Sequence, residues 1–515
     1  MDYQQIHLKA EGACGYLTDE GCVTIYVASS ADNPIISGVL DSFRAEVEKN
    51  DIKAEMFSTG SFGYYDLEPI VIIKKLHKPT IFYHNITPEM TSELVTEYLV
   101  KDNPRLELAL GKSGDNNLVG ITNISELPLL NLQNRLTLKN CGVIDPENIC
   151  EYILIDNGYR GLATALQMDR DEVIKKLKKP NLNDKETDEK YIICNAIDAD
   201  PKSLTNKLLL EGVPHSVLEG FLINAYSFGA TRGFICVNEE YETAVNRLEL
   251  ALEQMKEYNL LGDNILESGF SFDIEVREVP SSLVMKEDTA LVRCLSGKQP
   301  IPYLLTVPLI DKGLSDMPTL ITNAEVLSRL SATFQNDKAP HTRIVTLCGD
   351  INHEYTVEVP RDITFRQIID DIGGSTSSGK AIKAILAGGP NGRFLSPDVS
   401  EKPLGNVSED SPGIIEVFGG DSSVVETTRD VMAYLQSQSC GKCVFCREGT
   451  YQISDILDDI ITGKAAPDDL ELIQKLCEGM KQGSICGLGK KAADPVLSSL
   501  ELFRADYDMH LKKRQ

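Results

Sequence analysis

The chain has 515 residues, more than one hydrophobic core usually supports, so we expect three or four domains. Its 51 Lys and Arg residues against 77 Asp and Glu residues give a net charge of -26, which disfavours binding to nucleic acid or to an anionic membrane surface. No apolar run reaches the roughly 20 residues that span a bilayer, so membrane insertion is not expected.

The N-terminal residues and the cysteine usage indicate where the protein works. Residues 1–5 lack the basic and apolar regions of a signal peptide. Four of the thirteen cysteines form one motif near the C-terminus, and the others follow no regular spacing, which disfavours a disulfide framework in so long a chain. We therefore predict a cytoplasmic protein with reduced thiols.

The first predicted domain, residues 1–114, alternates strands with helices. β-branched and apolar residues predict a strand at 23–27, and Pro34 suits the first turn of a helix that runs to about Lys49. Three extended segments and one helix are expected next, at 54–58, 70–73, 80–84 and 87–99. This order resembles a thioredoxin-like domain.

Residues 115–140 are expected to form an extended connector, and residues 141–337 a second α/β domain. Its predicted strands lie at 191–194, 233–237 and 272–276, and its predicted helices at 158–166, 171–177, 214–228 and 241–258. The alternation of apolar strands with amphipathic helices is typical of repeated strand-helix units.

Residues 338–420 change to a pattern of short β segments. Two of these, at 343–347 and 355–359, precede one helix at 364–372 and the pair Gly373-Gly374. The pattern predicts a small β-grasp, ubiquitin-like module.

The last predicted domain, residues 421–515, is mostly helical and carries the cysteine motif. Helices are expected at 424–438, 451–462, 467–479 and 495–511. Cys440, Cys443 and Cys446 are separated by two residues each. Together with Cys486 from a distant segment, they can place four thiolates around one 4Fe-4S cluster.

The residues around these cysteines favour an iron-sulfur cluster over structural zinc. Gly441 allows a tight loop, while Lys442 and Arg447 bring positive charge to a site that its thiolates make anionic. Zinc is the alternative, although structural zinc usually takes its ligands as two separated pairs. Cys477 lies on an expected helix and is interpreted as a packed thiol, so one cluster is expected.

Five segments carry a resemblance to a known family. They are SCGKCVFCREGT at 439–450, SICGLG at 484–489, LLEGVPHSVLEG at 209–220, LLGDNIL at 260–266 and SGFSFDIE at 268–275. They resemble the NADH-binding flavoprotein subunit of respiratory complex I, and more closely the equivalent subunit of electron-bifurcating iron hydrogenases. The resemblance implies a Rossmann-like flavin and NADH domain at 141–337, a soluble-ligand-binding β-grasp domain at 338–420 and a 4Fe-4S domain at 421–515.

The chain departs from this family in the first domain. There the family holds a 2Fe-2S cluster on four cysteines, whereas the matching loops here, residues 28–33 and 60–65, contain no cysteine. We therefore expect this domain to lack its 2Fe-2S ligands. Cys14 and Cys22 lie upstream and are interpreted as ordinary thiols.

A second departure concerns the loop before the strand at 191. In the family, glycine-rich backbone in this loop cradles the FMN phosphate, because glycine permits close approach to the amides. Here no glycine occurs between Gly161 and Gly212, and residues 179–190 are shorter and net acidic. Such a loop is expected to hold a phosphate poorly.

The other departures follow the strands. Three glycines of a family motif are replaced within residues 195–202, and the glycine expected beside the flavin ring is Lys286. The surviving cofactor contacts, read as remnants, are Asn195, Asp198, Asp200, Glu287, Asp288 and Asn323. Asn323 precedes a helix and is equally well explained as a helix cap.

These observations lead to three hypotheses. The first is an electron-transfer or scaffold subunit of a cytoplasmic redox complex, with one 4Fe-4S cluster and with FMN and NAD unlikely. The second is an NADH-oxidising FMN and iron-sulfur subunit of a hydrogenase or formate dehydrogenase complex, and the third is a purely structural subunit. By resemblance, the expected partners are a small thioredoxin-like 2Fe-2S subunit and a hydrogenase-type or formate dehydrogenase-type catalytic subunit, in an anaerobe.

Overall fold

A computed structural model of the chain describes residues 1–114, 118–177, 189–335, 342–406, 413–466 and 468–512. Over these residues the fold is mixed α/β, with three β-sheets followed by a helical C-terminal region. None of the helices in these ranges is both long enough and apolar enough to cross a membrane.

The N-terminal part forms the first sheet. Its elements are α1 (Tyr3–Ala13), β1 (Val23–Ala28), α2 (Ile36–Lys49), β2 (Ala54–Thr59), β3 (Ile70–Lys75), β4 (Thr80–Tyr83), α3 (Pro88–Leu94), β5 (Ala109–Ser113) and α4 (Pro128–Asn131). The strand order is β2-β1-β3-β4-β5, with β1 and β2 parallel and the other pairs antiparallel. The strands and helices expected between residues 23 and 99 are confirmed, while the sequence pattern does not predict α1 or β5.

The central part forms a parallel sheet. Its elements are α5 (Ile149–Asp156), α6 (Arg160–Leu166), α7 (Arg170–Lys176), β6 (Tyr191–Ala196), α8 (Thr205–Gly212), α9 (Pro214–Phe228), β7 (Arg232–Asn238), α10 (Glu242–Glu257), β8 (Asp273–Val279), α11 (Asp288–Leu295), β9 (Thr319–Asn323) and α12 (Ala324–Gln335). The strand order is β8-β7-β6-β9, and all pairs are parallel. The chain leaves β6 toward β7 and returns through β9 on its other side, which makes the β6/β9 boundary a topological switch point.

The third sheet is also five-stranded. Its strands are β10 (Thr342–Gly349), β11 (Tyr355–Pro360), β12 (Ile382–Ala387), β13 (Arg393–Leu395) and β14 (Ile414–Gly419), in the order β11-β10-β14-β12-β13. The two short strands predicted here, β10 and β11, are confirmed. The helix predicted after them is π-helical at Gln367–Ile372.

The C-terminal region is helical as predicted. Its helices are α13 (Val424–Ser437), α14 (Val444–Ile461), α15 (Asp469–Gly483), α16 (Gly487–Lys491), α17 (Ala493–Leu502) and α18 (Arg504–Lys512). α14 starts directly after Cys443, earlier than expected, so Cys446 lies in its first turn and not in a loop.

The hydrophobic cores are shared between these parts. In β6, Ile192 packs into the core that contains α9 and α10, whereas Ile193 packs against the C-terminal helices. This follows from the two-residue period of a strand, which sends successive side chains to opposite faces. The parallel sheet is therefore buried on both faces, and its carboxyl end lies close to the helices that carry the cysteines.

Candidate functional site

A cavity of about 560 Å³ lies at the carboxyl ends of β6 and β9. Asn195 and Asn323 are register partners there, so the two carboxamides leave adjacent parallel strands at the same edge. The cavity lining is mostly polar and comprises Asn195, Ile197, Asp198, Ser203, Thr205, Asn206, Lys286, Asp288, Ile321, Thr322, Asn323, Glu325, Val326, Arg329, Arg343, Arg361 and Gly413. Open α/β sheets bind ligands at this position, and small-molecule sites usually measure about 300–1,000 Å³.

The two asparagines are held by the backbone around them. Asn195 Nδ2 donates to the carbonyl of Met285 at 3.1 Å, and its Oδ1 accepts from the Ile197 amide at 3.3 Å. Asn323 Oδ1 accepts from the Val326 amide at 2.9 Å, which caps α12 as the sequence suggested. Both side chains are therefore fixed in orientation at the cavity.

Asp198 and Asp200, although two residues apart, face different cavities. Asp198 lines the large cavity, where Ser203 Oγ and the Lys207 amide donate to it at 2.8 and 2.9 Å. Burial raises the pKa of Asp198 to about 6. Asp200 lines a neighbouring cavity of about 240 Å³, and its Oδ2 is buried without a hydrogen-bond partner among the described residues.

Residues 286–288 connect the large cavity to the cysteine motif. Lys286 lines both cavities, and burial lowers its pKa although Asp200 and Asp198 oppose this shift. Asp288 lines the large cavity, where burial raises its pKa. Glu287 turns the other way, and its Oε1 accepts from the Leu488 amide at 2.9 Å. Leu488 lies two residues after Cys486, so one short segment contacts both sites.

The four predicted cluster cysteines come together in the folded chain. Cys440 is exposed, Cys443 and Cys486 are half-buried, and Cys446 is buried. Burial raises the pKa of Cys446, and the charges of Cys443 and Cys440 act in the same direction. Burial likewise raises the pKa of Cys486 to about 11, with Cys446 and Cys440 contributing. Bound iron would oppose these shifts, since metal coordination deprotonates a thiol.

Two further observations describe this cysteine site. Cys443 directly precedes α14, so the positive end of that helix faces the thiolates. Among the residues that the structure describes, no three His, Cys, Asp or Glu side chains have the spacing of a site for one metal ion. Cys477 is buried on α15, in the core that also contains Cys446.

The glycine replacements leave the large cavity open. Ala196 and Ala199 are buried and do not line it, and Lys202 forms an ion pair with Glu416 on β14. Of the replaced family glycines, Lys286 lines the cavity and adds a positive charge. The prediction for the loop at 179–190 falls on residues 178–188, which are outside the described part of the chain.

The donor set of the cavity fits a flavin mononucleotide. Four cationic side chains line it, namely Lys286, Arg329, Arg343 and Arg361. Cations suit a phosphate group, and carboxamides such as those of Asn195 and Asn323 suit the polar edge of an isoalloxazine ring. Residues 195–202 thus contribute polar groups to a site whose positive charge comes largely from elsewhere in the chain.

Several lining residues were not identifiable from the sequence. Ser203 and Asn206 follow β6 and differ little from ordinary helix-start residues. Arg343 and Arg361 belong to the third sheet, so their approach to β9 depends on how the sheets pack. The signal that could have located Arg329 is its spacing of six residues from Asn323 along α12.

Two family models match the chain. The model described as Nuo51 FMN-binding domain matches residues 173–331, and the model described as NADH-ubiquinone oxidoreductase-F iron-sulfur binding region matches residues 426–510. The first range contains Asn195, Lys286 and Asn323, and the second contains all four cluster cysteines. The second match confirms the prediction of an iron-sulfur region over the zinc alternative.

Similar proteins are components of redox complexes by name. The chain is 34% identical over 416 residues to the NADP-reducing hydrogenase subunit HndC of Solidesulfovibrio fructosivorans, covering 74% of this chain and 84% of that protein. It is 28% identical to the NADH-quinone oxidoreductase F subunit 2 of Rhizobium meliloti (strain 1021), covering 73% and 98%. In fold, it is similar to a chain in the crystal structure of NAD+-reducing [NiFe]-hydrogenase in the H2-reduced state, with a TM-score of 0.61, 18% identity and coverage of 99% and 91%.

These findings correct two predictions. The first hypothesis, an electron-transfer or scaffold subunit without flavin chemistry, is wrong, and so is the expectation that FMN and NAD are unlikely, because the FMN-binding domain matches across residues 173–331. The physical reason is that Ala196, Ala199 and Lys202 lie outside the cavity that they were expected to damage. The chain belongs to the family of the NADH-quinone oxidoreductase F subunit, together with hydrogenase subunits such as HndC.

Proposed function

We propose that this chain is the NADH-oxidising FMN and iron-sulfur subunit of a redox complex. FMN would occupy the cavity at the ends of β6 and β9, and one 4Fe-4S cluster would be held by Cys440, Cys443, Cys446 and Cys486. The observation that carries the proposal is the segment 286–288, which lines the flavin-sized cavity on one side and binds the Cys486 loop on the other.

The chain's own residues would orient the cofactor and shield it. Asn195 and Asn323 are fixed by backbone hydrogen bonds and present carboxamides at the strand ends. Asp198 is held by Ser203 and Lys207 and shapes the cavity wall. When bound, FMN accepts a hydride from a nicotinamide and releases electrons one at a time.

The short segment between the sites would fix the distance over which electrons move. Glu287 binds the Leu488 amide at 2.9 Å, and a β-carbon at Gly487 would lie only 2.7 Å from Glu287 Oε1. The contact therefore has no spare room, and the cavity and the Cys486 loop are held at a constant separation. Lys286 adds a positive charge at the end of the cavity nearest the cysteines.

The domain assignments support the same proposal. The first sheet would be a thioredoxin-like domain without 2Fe-2S ligands, since Glu68 there accepts hydrogen bonds from Ser29 Oγ, the Ser30 amide and Ser61 Oγ in the loops where cysteines were sought. The parallel sheet would be a Rossmann-like flavin domain and the third sheet a β-grasp module. A 2Fe-2S centre would then come from a small partner subunit, and a hydrogenase-type or formate dehydrogenase-type subunit would complete the complex.

NADH-dependent reduction of an artificial dye tests this proposal. The full chain, purified without oxygen and supplied with FMN, should reduce a dye with NADH as donor. Replacing Asn195 by leucine should lower this rate because a fixed carboxamide at the cavity is lost, whereas replacing the exposed Glu278 by glutamine should not. Flavin-loaded protein that reduces no dye with NADH would contradict the proposal.

A further inference from the structure

Three arginines gather at one end of the large cavity. Arg329 lies on α12, Arg343 is the second residue of β10, and Arg361 directly follows β11. All three line the cavity together with Gly413, which precedes β14. Two separate parts of the chain, the parallel sheet and the third sheet, therefore supply positive charge to the same place.

Distances and charges show that these side chains act on one another. Glu325 forms an ion pair with Arg329 and accepts from the Ile344 amide at 3.2 Å, which joins α12 to β10. Burial lowers the pKa of Arg343, the positive charges of Arg361 and Arg329 act in the same direction, and Glu325 opposes them. Arg329 Nε is buried without a hydrogen-bond partner among the described residues. The cavity thus has a strongly cationic end.

The opposite end of the cavity has a different character. Lys286 lies there and also lines the smaller cavity that contains Gly487 and Leu488, directly after Cys486. A redox-active ring should lie at this end, since electron transfer favours a short distance to the cluster. The phosphate of the same molecule then falls at the arginine end.

We propose that Arg329, Arg343 and Arg361 bind the phosphate group of FMN, in place of a glycine-rich backbone cradle. The inference rests on the proposed function and adds a subsite to it. Guanidinium groups donate paired hydrogen bonds to phosphate oxygens, and such charge-assisted bonds are stronger than neutral ones. The third sheet would then contribute directly to cofactor binding, because Arg343 and Arg361 both belong to it.

Comparing FMN with riboflavin tests this subsite, because riboflavin has the same ring and no phosphate. The probes are titrated into flavin-free full-length protein, and binding is followed by quenching of flavin fluorescence. The double variant R343Q/R361Q should bind FMN at least tenfold more weakly, at about tenfold for each charge-assisted hydrogen bond that is removed, while riboflavin affinity stays unchanged. The matched control is R393Q, which changes an exposed arginine on β13 that does not line the cavity.

The outcomes separate the subsite from the function. Retained riboflavin binding in the double variant shows that the cavity is still folded. If the variant binds FMN as tightly as the unmodified chain, or loses FMN and riboflavin equally, the phosphate subsite is wrong while the proposed function stands. If the unmodified chain binds neither flavin, both the function and the subsite are wrong.

Discussion

Replacing Glu287 by alanine should loosen the Cys486 loop. Glu287 Oε1 accepts from the Leu488 amide at 2.9 Å, and Leu488 is only 3% exposed, so water cannot readily replace the lost acceptor. A hydrogen bond to a charged group contributes about 1.5–3 kcal/mol, which corresponds to roughly a 10–150-fold change in the equilibrium for opening. The amide lies in the first turn of α16, where no helical carbonyl is available to it.

Hydrogen exchange measured by mass spectrometry on the peptide at residues 484–492 reports this opening directly. Glu287→Ala should speed exchange at the Leu488 amide by at least about tenfold, and Glu287→Gln, which keeps an acceptor oxygen, should have a smaller effect. Glu278→Ala is the control, because Glu278 is exposed on β8. Unchanged exchange in Glu287→Ala would refute the reasoning that this bond joins the two sites.

Three further predictions concern charge, ligands and pH. Lys286→Met should lower the midpoint potential of bound FMN by roughly tens of millivolts, because a positive charge favours the reduced, more anionic flavin, while Lys286→Arg should change it little in a potentiometric titration. Cys443→Ser should abolish cluster iron with FMN retained, whereas Cys477→Ser should keep both, as measured by iron, sulfide and flavin content. Burial lowers the pKa of His215 from 6.5 to about 4, so its stabilising effect is full above 6.5 and is lost as the pH falls through 4. The loss amounts to about 3 kcal/mol, and His215→Gln should show a smaller drop in urea midpoint between pH 7 and pH 4 than the unmodified chain.

The sequence predicted the elements well where local patterns suffice. The apolar runs of β1, β6 and β7 and the long amphipathic α9 and α10 lie within a residue or two of their expected positions. α1 was missed because its start depends on a capping box, in which Asp2 and Gln5 exchange hydrogen bonds. Such a box is visible in the sequence, but the weakly apolar residues that follow it do not signal a helix.

The site was harder to predict because it depends on side-chain direction and on packing between sheets. Counting lost glycines at 196, 199 and 202 could not reveal that the new side chains avoid the cavity. Arg343 and Arg361 lie far along the chain from Asn195, and no spacing rule joins them. The cysteine motif, by contrast, was predictable because its ligands follow a short-range pattern that cluster chemistry dictates.

The cofactor content of the anaerobically purified full chain distinguishes a flavin and iron-sulfur subunit from one that holds a cluster alone. FMN, iron and sulfide are quantified together on the same sample. We expect about one FMN and about four iron atoms for each chain, from a flavin in the β6/β9 cavity and one cluster on the four cysteines. Iron and sulfide at that level without any flavin, even after incubation with excess FMN, would contradict the proposed function.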